Sequence, residues 1–396
     1  MVSTILATSL IFATTCSITC IDTYAEFDYS SYEAELAKMK TTQVTMGDFE
    51  VKCYLNDADK TVIMSSLVKG SGSLDIPAEV TVGNTRYKVT TVLESFAYNN
   101  SKINRVIGGE NIFHIGPRAF YNCRNLKELS LNTNNTSAVI DDEAFRGTGL
   151  TEVTLRGFAV FGHSSFMDNR NLVTFDVRNL KNNIVFGNEV LRSCTALTSV
   201  NLADEVTSIG SKTFFGCKEL RKISIGSGLT GNLTPLDFGN IRTSDIDSKT
   251  ESVSDIRNEY YISGCPKLQA INVSKDNKVF SSIQGILYNK NATRVIYIPT
   301  ETTLQNWAVP ATVTEISEYA GYCNNSIQNV SFRGKGNIVI DKYAFAAAAR
   351  LNKVVIKSDV SLNLESYSFA KSSLKTISGT YIDKIKTAFY GTTLSK

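Results

Sequence analysis

The sequence predicts a solenoid, in which short parallel β-strands stack on one another and are joined by short helical turns. This is an α/β repeat, and a small antiparallel β-sheet is expected to cap its N-terminal end. Three observations predict the fold. One unit recurs at intervals of about 20 to 25 residues. Each copy carries a large apolar anchor at the same place, and each ends in two apolar residues separated by one polar residue. A single unit cannot bury its apolar face alone, so such an array is stable only as an array.

The clearest copy of the unit runs from Ile115 to Leu131 and reads Ile-Gly-x-x-Ala-Phe-x-x-Cys-x-x-Leu-x-x-Leu-x-Leu. Its anchor is Phe120, and we interpret Phe96 as opening the series. Later anchors are Phe145, Phe166, Leu191, Phe214, Phe345, Phe369 and Phe389. A large apolar residue stands five positions before most anchors, at Ile115, Ile140, Phe161, Phe186, Ile209, Ile340 and Leu364. The copies near Ile262 and Tyr319 are irregular.

Each part of the unit predicts a local structure. The alternation at its end predicts a strand with one buried face. The Ala-Phe segment is too short for a long helix, so we expect a helical turn or bend that carries the anchor into the core. A phenylalanine there buries about 150 to 250 Å².

Four cysteines share one place in the unit, three residues after the anchor position: Cys123, Cys194, Cys217 and Cys265. Other copies have Thr148, Ala348 or Ser372 there. A position shared by such residues predicts a tight buried slot, in which a thiol behaves as a small hydrophobe. A metal site or a disulfide ladder is the functional alternative.

The Ile-Gly-x-x-Ala-Phe-x-x-Cys unit resembles the hallmark of the BspA-like class of bacterial leucine-rich repeats. The segments Ser282–Lys290 and Val295–Pro299 are similar to the hairpin that many members carry between repeats. The resemblance covers about residues 90 to 396. It implies a curved solenoid, secreted or on a cell surface, with adhesion to host matrix proteins or other cells as the family's usual role. Folds of this kind host many ligands, so the resemblance does not identify one.

The chain divides by composition into three parts. We interpret residues 1–25 as a secretory signal peptide, with an apolar core at Ile5–Phe12 and small residues before the cleavage point. Cys16 and Cys20 leave open a lipid anchor, which would make the protein an outer-membrane lipoprotein. Residues 26–90 are expected to hold a short helix within Ser30–Lys40 and, from Gly47, a β-meander that caps the array.

Residues 91–396 hold the repeats, interrupted twice. The stretch 227–260 is polar at its centre and predicts a protruding loop, which is either mobile or part of a binding face. The stretch 275–310 predicts the hairpin insertion. No segment after the N-terminus approaches the roughly 20 apolar residues that a membrane span requires.

The outward residues of the strands form the candidate binding face, because side chains alternate along a strand. Small polar groups and cations recur there, which favours an acidic protein or glycan as ligand. An ordinary solvated surface is the alternative. The candidate residues are Asn132, Thr154, Arg156, Asp176, Arg178, Asn201, Ser224, Asn272, Ser331, Arg333 and Lys357.

The sequence favours binding over catalysis. Its two histidines, His114 and His163, lie in no motif, and we find no nucleophile elbow, phosphate loop or zinc spacing. No cofactor is predicted. The net charge is only +3, with dispersed cations, so nucleic acid is not an expected partner. We expect a secreted or surface adhesin for an extracellular or host protein. A glycan-capture module for nutrient uptake and a structural surface spacer are the alternatives.

Overall fold

A computed structural model describes residues 34–177, 180, 183–239, 264–379 and 386–394. The signal peptide, Cys16, Cys20, Arg178 and most of the loop 227–260 lie outside these residues. The first fourteen strands are β1 (Lys40–Met46), β2 (Phe49–Asn56), β3 (Thr61–Lys69), β4 (Gly72–Ile76), β5 (Glu79–Val82), β6 (Thr85–Val92), β7 (Ile103–Gly108), β8 (His114–Ile115), β9 (Glu128–Asn132), β10 (Ala138–Ile140), β11 (Glu152–Arg156), β12 (Phe158–Phe161), β13 (Thr174–Asp176) and β14 (Ile184–Phe186). The others are β15 (Ser199–Asn201), β16 (Val206–Ser208), β17 (Lys222–Ile225), β18 (Ala270–Val273), β19 (Phe280–Ile283), β20 (Ile286–Asn289), β21 (Arg294–Tyr297), β22 (Asn306–Val309), β23 (Glu315–Ile316), β24 (Asn329–Phe332), β25 (Gly336–Ile340), β26 (Lys353–Ile356), β27 (Val360–Leu364) and β28 (Thr376–Ser378).

Contacts divide the chain into two compact units. Unit 1 comprises Met1–Cys194 with Glu205–Thr213, and unit 2 comprises Thr195–Asp204 with Phe214–Lys396. In unit 1, one sheet follows the order β4-β7-β9-β11 and the other runs β3-β6-β8-β10-β12-β14-β16. In unit 2, the corresponding sheets are β15-β17-β18 with β22-β24-β26-β28, and β21-β23-β25-β27.

Both units confirm the predicted parallel-strand solenoid, which has about 12 turns. Within a turn, the strand with alternating residues, such as β9, lies in one sheet, and we call these the front strands. The apolar residue five positions before the anchor ends a strand of the second sheet, as Ile140 ends β10. Neighbouring turns pair in parallel without a shift of register on the front strands, for example Leu129 with Val153. The core lies between the two sheets.

The expected helical turns around the anchors are not confirmed, because helices are nearly absent from the described part of the chain. The described elements include only two 3₁₀ helices, Pro235–Phe238 and Lys386–Phe389, apart from a single helical turn at residues 34–36. Most anchors instead lie between two residues in the left-handed region, four positions apart, whereas Phe238 and Phe389 end the two 3₁₀ helices. Around Phe120 these are Arg118, with φ 53°, and Asn122, with φ 56°.

This geometry gives the turns their own hydrogen-bond ladder. The backbone N–H groups of Arg118, Phe120 and Asn122 donate to carbonyl oxygens of the next turn, at Asp142, Ala144 and Arg146, over 2.9, 2.8 and 2.7 Å. An α-helix would satisfy these N–H groups internally. The left-handed residues turn them toward the neighbouring copy, so the turns stack as a third ladder of the solenoid. We call this surface the turn stack.

Close approach of neighbouring turns explains the glycine of the Ile-Gly pair. A Cβ on Gly116 would lie 2.7 Å from the backbone nitrogen of Glu94, and one on Gly210 would lie 2.4 Å from the carbonyl carbon of Gly187. Both distances are shorter than any contact that a real Cβ atom makes. The contacted atoms belong to the backbone of the preceding turn, which cannot move aside locally. Copies with a larger residue in this place, such as Asp341, keep it partly buried.

The anchor rings form a stacked column within each unit. Phe145 lies between Phe120 and Phe166, at centroid distances of 5.2 and 5.5 Å. In unit 2, Phe345 and Phe369 stack at 5.2 Å and 6°.

The first copy corrects the sequence interpretation, because Ala97, not Phe96, occupies the anchor place. The N–H of Ala97 donates to the carbonyl of Ala119, as that of Phe120 donates to Ala144. Phe96 precedes the anchor position by one residue, but its ring still reaches the core and lies 5.8 Å from the Phe120 ring in an edge-to-face contact.

The irregular copy near Tyr319 has no side chain at its anchor. Gly321 donates its N–H to Ala344, which identifies it as the anchor residue. A Cβ there would lie 3.0 Å from the Phe345 ring. The indole of Trp307, 1% exposed, packs against that same ring at 6.5 Å. A front-strand residue therefore fills the space that the glycine leaves.

The repeats continue into the segment that was predicted to be a loop. Phe238 is buried and stacks on Phe214 at 6.1 Å and on Tyr297 at 4.3 Å. The N–H of Cys265 donates to the carbonyl of Phe238, which is the usual bond from the cysteine slot to its own anchor. Cys265 therefore belongs to the anchor Phe238, although a long stretch of sequence separates the two residues. The irregular Ile262 lies outside the described residues.

The cysteine slot is buried, as predicted, but small size is not its whole requirement. Cys123, Cys194, Cys217 and Cys265 are 0% exposed, and burial raises the pKa of the Cys123 and Cys265 thiols to about 12. The thiol of Cys123 donates to the carbonyl of Ala97 over 3.0 Å, and that of Cys265 to Phe214 over 3.1 Å. Asn169, in the same slot, donates to Phe145 over 2.9 Å. The slot thus favours a small donor that satisfies the anchor carbonyl of the preceding turn.

Antiparallel strands flank the parallel array in each unit. β1, β2 and β3 form a meander on which β6 continues in parallel. Its first strand starts at Lys40, earlier than the expected Gly47. In unit 2, β19, β20 and β21 pair antiparallel, and β21 then pairs in parallel with β23.

Candidate functional site

The front strands of unit 1 hold the first candidate residues. Asn132 and Arg156 are exposed and lie side by side in register on β9 and β11. Thr154, two residues before Arg156 on β11, is exposed and lies beside Ser130 of β9. Asp176 is exposed on β13. Acidic groups that the sequence analysis left out share this face, since Glu128 lies opposite Glu152 and pairs with Arg105 at 2.7 Å. The front of unit 1 is therefore of mixed charge.

The front strands of unit 2 hold the remaining candidates, in two sets. Asn201, Ser224 and Asn272 face one another in register on β15, β17 and β18. Ser331 lies on β24, and Arg333 and Lys357 directly follow the paired ends of β24 and β26. Both cations are exposed.

Sequence reasoning missed a third cation in the second set. Lys353 is exposed at the start of β26, in register with Asn329, which donates to Asn306 over 2.6 Å. The four strands β22, β24, β26 and β28 contain no carboxylate. We call this surface the cationic front. It could have been found by aligning the first outward position of each copy as well as the second and third.

Sequence reasoning also missed a cavity in the turn stack of unit 1. It has a volume of about 480 Å³ and lies across three successive turns, within residues 121–124, 146–149 and 168–171. Its signal is present in the sequence, because Gly147 and Gly149 fall in one copy while arginines flank the anchors of all three. That signal becomes visible only when the turns are placed side by side.

Titratable groups elsewhere provide no second site. Among the described residues, no group of histidine, cysteine and carboxylate side chains is arranged to hold a metal ion. Burial, and then the nearby Glu315 carboxylate, raise the pKa of Asp341 to about 6. Arg294 opposes the shift in part, and it pairs with Glu315 at 2.7 Å.

Asp341→Asn is expected to stabilise unit 2 at about pH 8 by about 1 kcal/mol. A pKa raised in the folded state means that folding favours the protonated form, so its contribution is complete below about pH 4 and is lost as the pH rises through about 6. The full shift would correspond to nearly 3 kcal/mol, which we reduce because solvent screens a partly exposed group. Urea unfolding of both proteins at about pH 4 and at about pH 8 measures the difference in their free energies of unfolding. Asp359→Asn, an exposed carboxyl, is the control, and equal stabilisation at both pH values would contradict the interpretation.

Comparison with known proteins decides the family. The model of the BspA type leucine-rich repeat region matches in six copies, over residues 83–173, 184–308 and 300–395. The chain belongs to the BspA-type leucine-rich repeat family. In this chain, the recurring positions of the family's repeat therefore correspond to the turn stack, to the closely packed glycine of the Ile-Gly pair and to the cysteine slot.

Two solved structures share the fold of this BspA-type chain. One is a leucine-rich cell surface protein from Faecalibacterium prausnitzii, 20% identical, with a TM-score of 0.55, covering 89% of this chain and 80% of its own. The other is a leucine-rich repeat protein from Bacteroides ovatus, 16% identical, also at 0.55, covering 88% and 92%. A search of curated proteins finds no match. In the described residues, no helix has the length and apolarity to cross a membrane.

Proposed function

We propose that this BspA-type protein is a cell-surface or secreted adhesin that holds an acidic extracellular protein against its cationic front. The observation that carries the proposal is the charge pattern of that surface. Lys353 lies on β26, and Arg333 and Lys357 directly follow β24 and β26, which contain no carboxylate. All three cations are exposed, and none forms an ion pair within the described residues. Cations that their own protein does not neutralise are suited to an acidic partner.

The same features support modest affinity rather than tight binding. The outward residues beside the cations are small, such as Ser331 and Ala308, and the strands present them in flat registered rows. Such a surface lacks the aromatic anchors that dominate tight interfaces. Exposed charges accelerate association, and each contributes only about 0.2–1 kcal/mol to binding. We therefore expect several weak charged contacts on neighbouring repeats, and an affinity that falls as the salt concentration rises.

The proposed location follows from the N-terminal sequence and the related cell surface protein. Residues 1–25 would direct export and then be removed; alternatively, acylation at Cys16 or Cys20 would hold the chain at the outer membrane. Either route would present the cationic front to the exterior.

The test is binding of the full chain to extracellular-matrix proteins, including fibronectin, laminin and fibrinogen, at physiological salt. The triple variant Arg333→Glu, Lys353→Glu and Lys357→Glu is expected to weaken a specific interaction at least about tenfold, since three reversed contacts amount to more than about 1.4 kcal/mol. The matched control is Lys52→Glu, Arg86→Glu and Lys102→Glu, which makes the same charge change at exposed positions of unit 1.

The alternatives are separate outcomes of this experiment. Equal loss in the control would indicate a nonspecific charge effect and would contradict a localised site. Binding to polysaccharides alone would favour glycan capture. Self-association without any ligand would favour a structural spacer.

A further inference from the structure

The cavity of the turn stack lies where one copy of the repeat has no side chain, at Gly147. Gly147 and Gly149 form its middle, where the preceding copy has Asn122 and Arg124. Gly147 has φ 68°, and nothing lies closer than 3.8 Å to the position of its absent Cβ. The gap at Gly147 is therefore open space, whereas Gly149 is needed for close packing, because a Cβ there would lie 2.1 Å from the carbonyl oxygen of Arg124.

Three arginines and one aspartate surround this space. Arg124 donates its Nε to Asn122 Oδ1 over 2.8 Å, which fixes the guanidinium through its inner edge. No other hydrogen bond of this guanidinium is recorded within the described part of the chain. Its two terminal nitrogens thus form a planar fork, the geometry that binds a carboxylate or sulfate through two parallel hydrogen bonds.

Arg146 is held rigidly on the same cavity. Its guanidinium lies over the ring of Tyr121, 5.7 Å from the centroid, and it pairs with Glu143. Its Nε lies 3.6 Å from Asp168, whose other oxygen is 3.6 Å from Arg170. A side chain already fixed by packing loses little entropy on binding.

The lining restricts the kind of ligand. Tyr121 stacks on Tyr98 at 5.0 Å on one face, and Arg146 covers its ring as well. No ring face remains for a base, an aromatic side chain or a neutral sugar to stack on, so a charge must supply the anchor. Of the other groups, the Asp168 carboxylate can accept hydrogen bonds from hydroxyl groups, and the Asn171 amide can accept or donate them. The volume of about 480 Å³ lies in the range of small-ligand sites.

We propose that this cavity binds an acidic saccharide, a sugar whose carboxylate or sulfate lies on Arg124 and Arg146 and whose hydroxyls contact Asp168 and Asn171. The site is independent of the cationic front, since it lies on the turn stack of unit 1. Binding there would give the protein a glycan contact in addition to a protein partner.

The test is isothermal titration of the full chain with 3′-sialyllactose, a galacturonate trisaccharide and a heparin disaccharide, with lactose as the neutral match. We expect at least one acidic sugar to bind and lactose not to bind. Arg124→Gln should weaken the binding about tenfold. Gly147→Asn should abolish it by filling the cavity, and asparagine tolerates the left-handed backbone, as Asn122 does in the preceding turn.

The control is Arg86→Gln, an equal loss of charge at an exposed site of the same unit, which should leave affinity unchanged. The proposal is overturned if no acidic sugar binds below about 10 mM, if Gly147→Asn leaves binding intact, or if inorganic sulfate binds as tightly as the sugars. The triple variant of the cationic front should bind these sugars normally, so failure here and failure of the adhesin proposal are distinguishable.

Discussion

Phe145→Ala is expected to destabilise unit 1 by about 3–5 kcal/mol, because it removes a fully buried ring and leaves a cavity in a packed column. Phe120 stacks on one side of the ring at 5.2 Å and Phe166 on the other at 5.5 Å. Both would lose contacts, and the space lies too deep for solvent. In a repeat array each turn is stabilised by its neighbours, so the loss should spread along unit 1.

Hydrogen exchange is the appropriate measurement for this variant, since an array of this length need not unfold in one step. Protection of β9 and β11 should fall, while that of β24 and β26 should change little. Phe145→Leu keeps most of the side-chain volume and should reduce stability less than Phe145→Ala. Tyr98→Ala is the control for loss of an exposed ring, since Tyr98 is 46% exposed. A loss below about 1 kcal/mol for Phe145→Ala would refute the role assigned to the column.

Trp307→Ala is expected to destabilise unit 2 by about 3–5 kcal/mol. The indole is 1% exposed and packs on Phe345, and a Cβ on Gly321 would lie 3.0 Å from the same ring.

The interpretation of Trp307 as a substitute anchor makes a sharper prediction. Gly321→Phe alone should be destabilising by about 1–3 kcal/mol, because a ring there competes with the indole. Combined with Trp307→Ala, the same change should recover part of the lost stability, so the two effects should not add. Urea unfolding of the four proteins of this cycle measures the coupling. Additive losses would mean that Trp307 and residue 321 do not share a space.

Periodicity in the sequence predicts most of the framework. The spacing of Phe120, Phe145 and Phe166 located a buried column, and the alternation at Leu129 and Leu131 located a strand with the correct face inward. Both depend on apolar burial, which is a property that a sequence displays directly. The outward candidates Asn132 and Arg156 followed from the same alternation, and they lie in register as expected.

The local sequence pattern does not predict the structure where a neighbouring turn supplies the hydrogen-bond or packing partner. The Ala-Phe segment resembles a helical turn in isolation, but the N–H groups of Arg118 and Asn122 bond to the next copy instead of to their own turn. The same applies to Gly321, whose missing ring comes from another strand.

The sequence by itself determined the repeat, the fold, the family resemblance and the inward face of each strand, because these depend on residue type and spacing. Only the tertiary structure decided which anchors belong to which turns, that Cys265 belongs to the anchor Phe238, and where the cationic front and the arginine-lined cavity lie. The physical reason is that each of these features consists of groups from different turns. Their juxtaposition is created by the backbone ladders that stack one copy on the next.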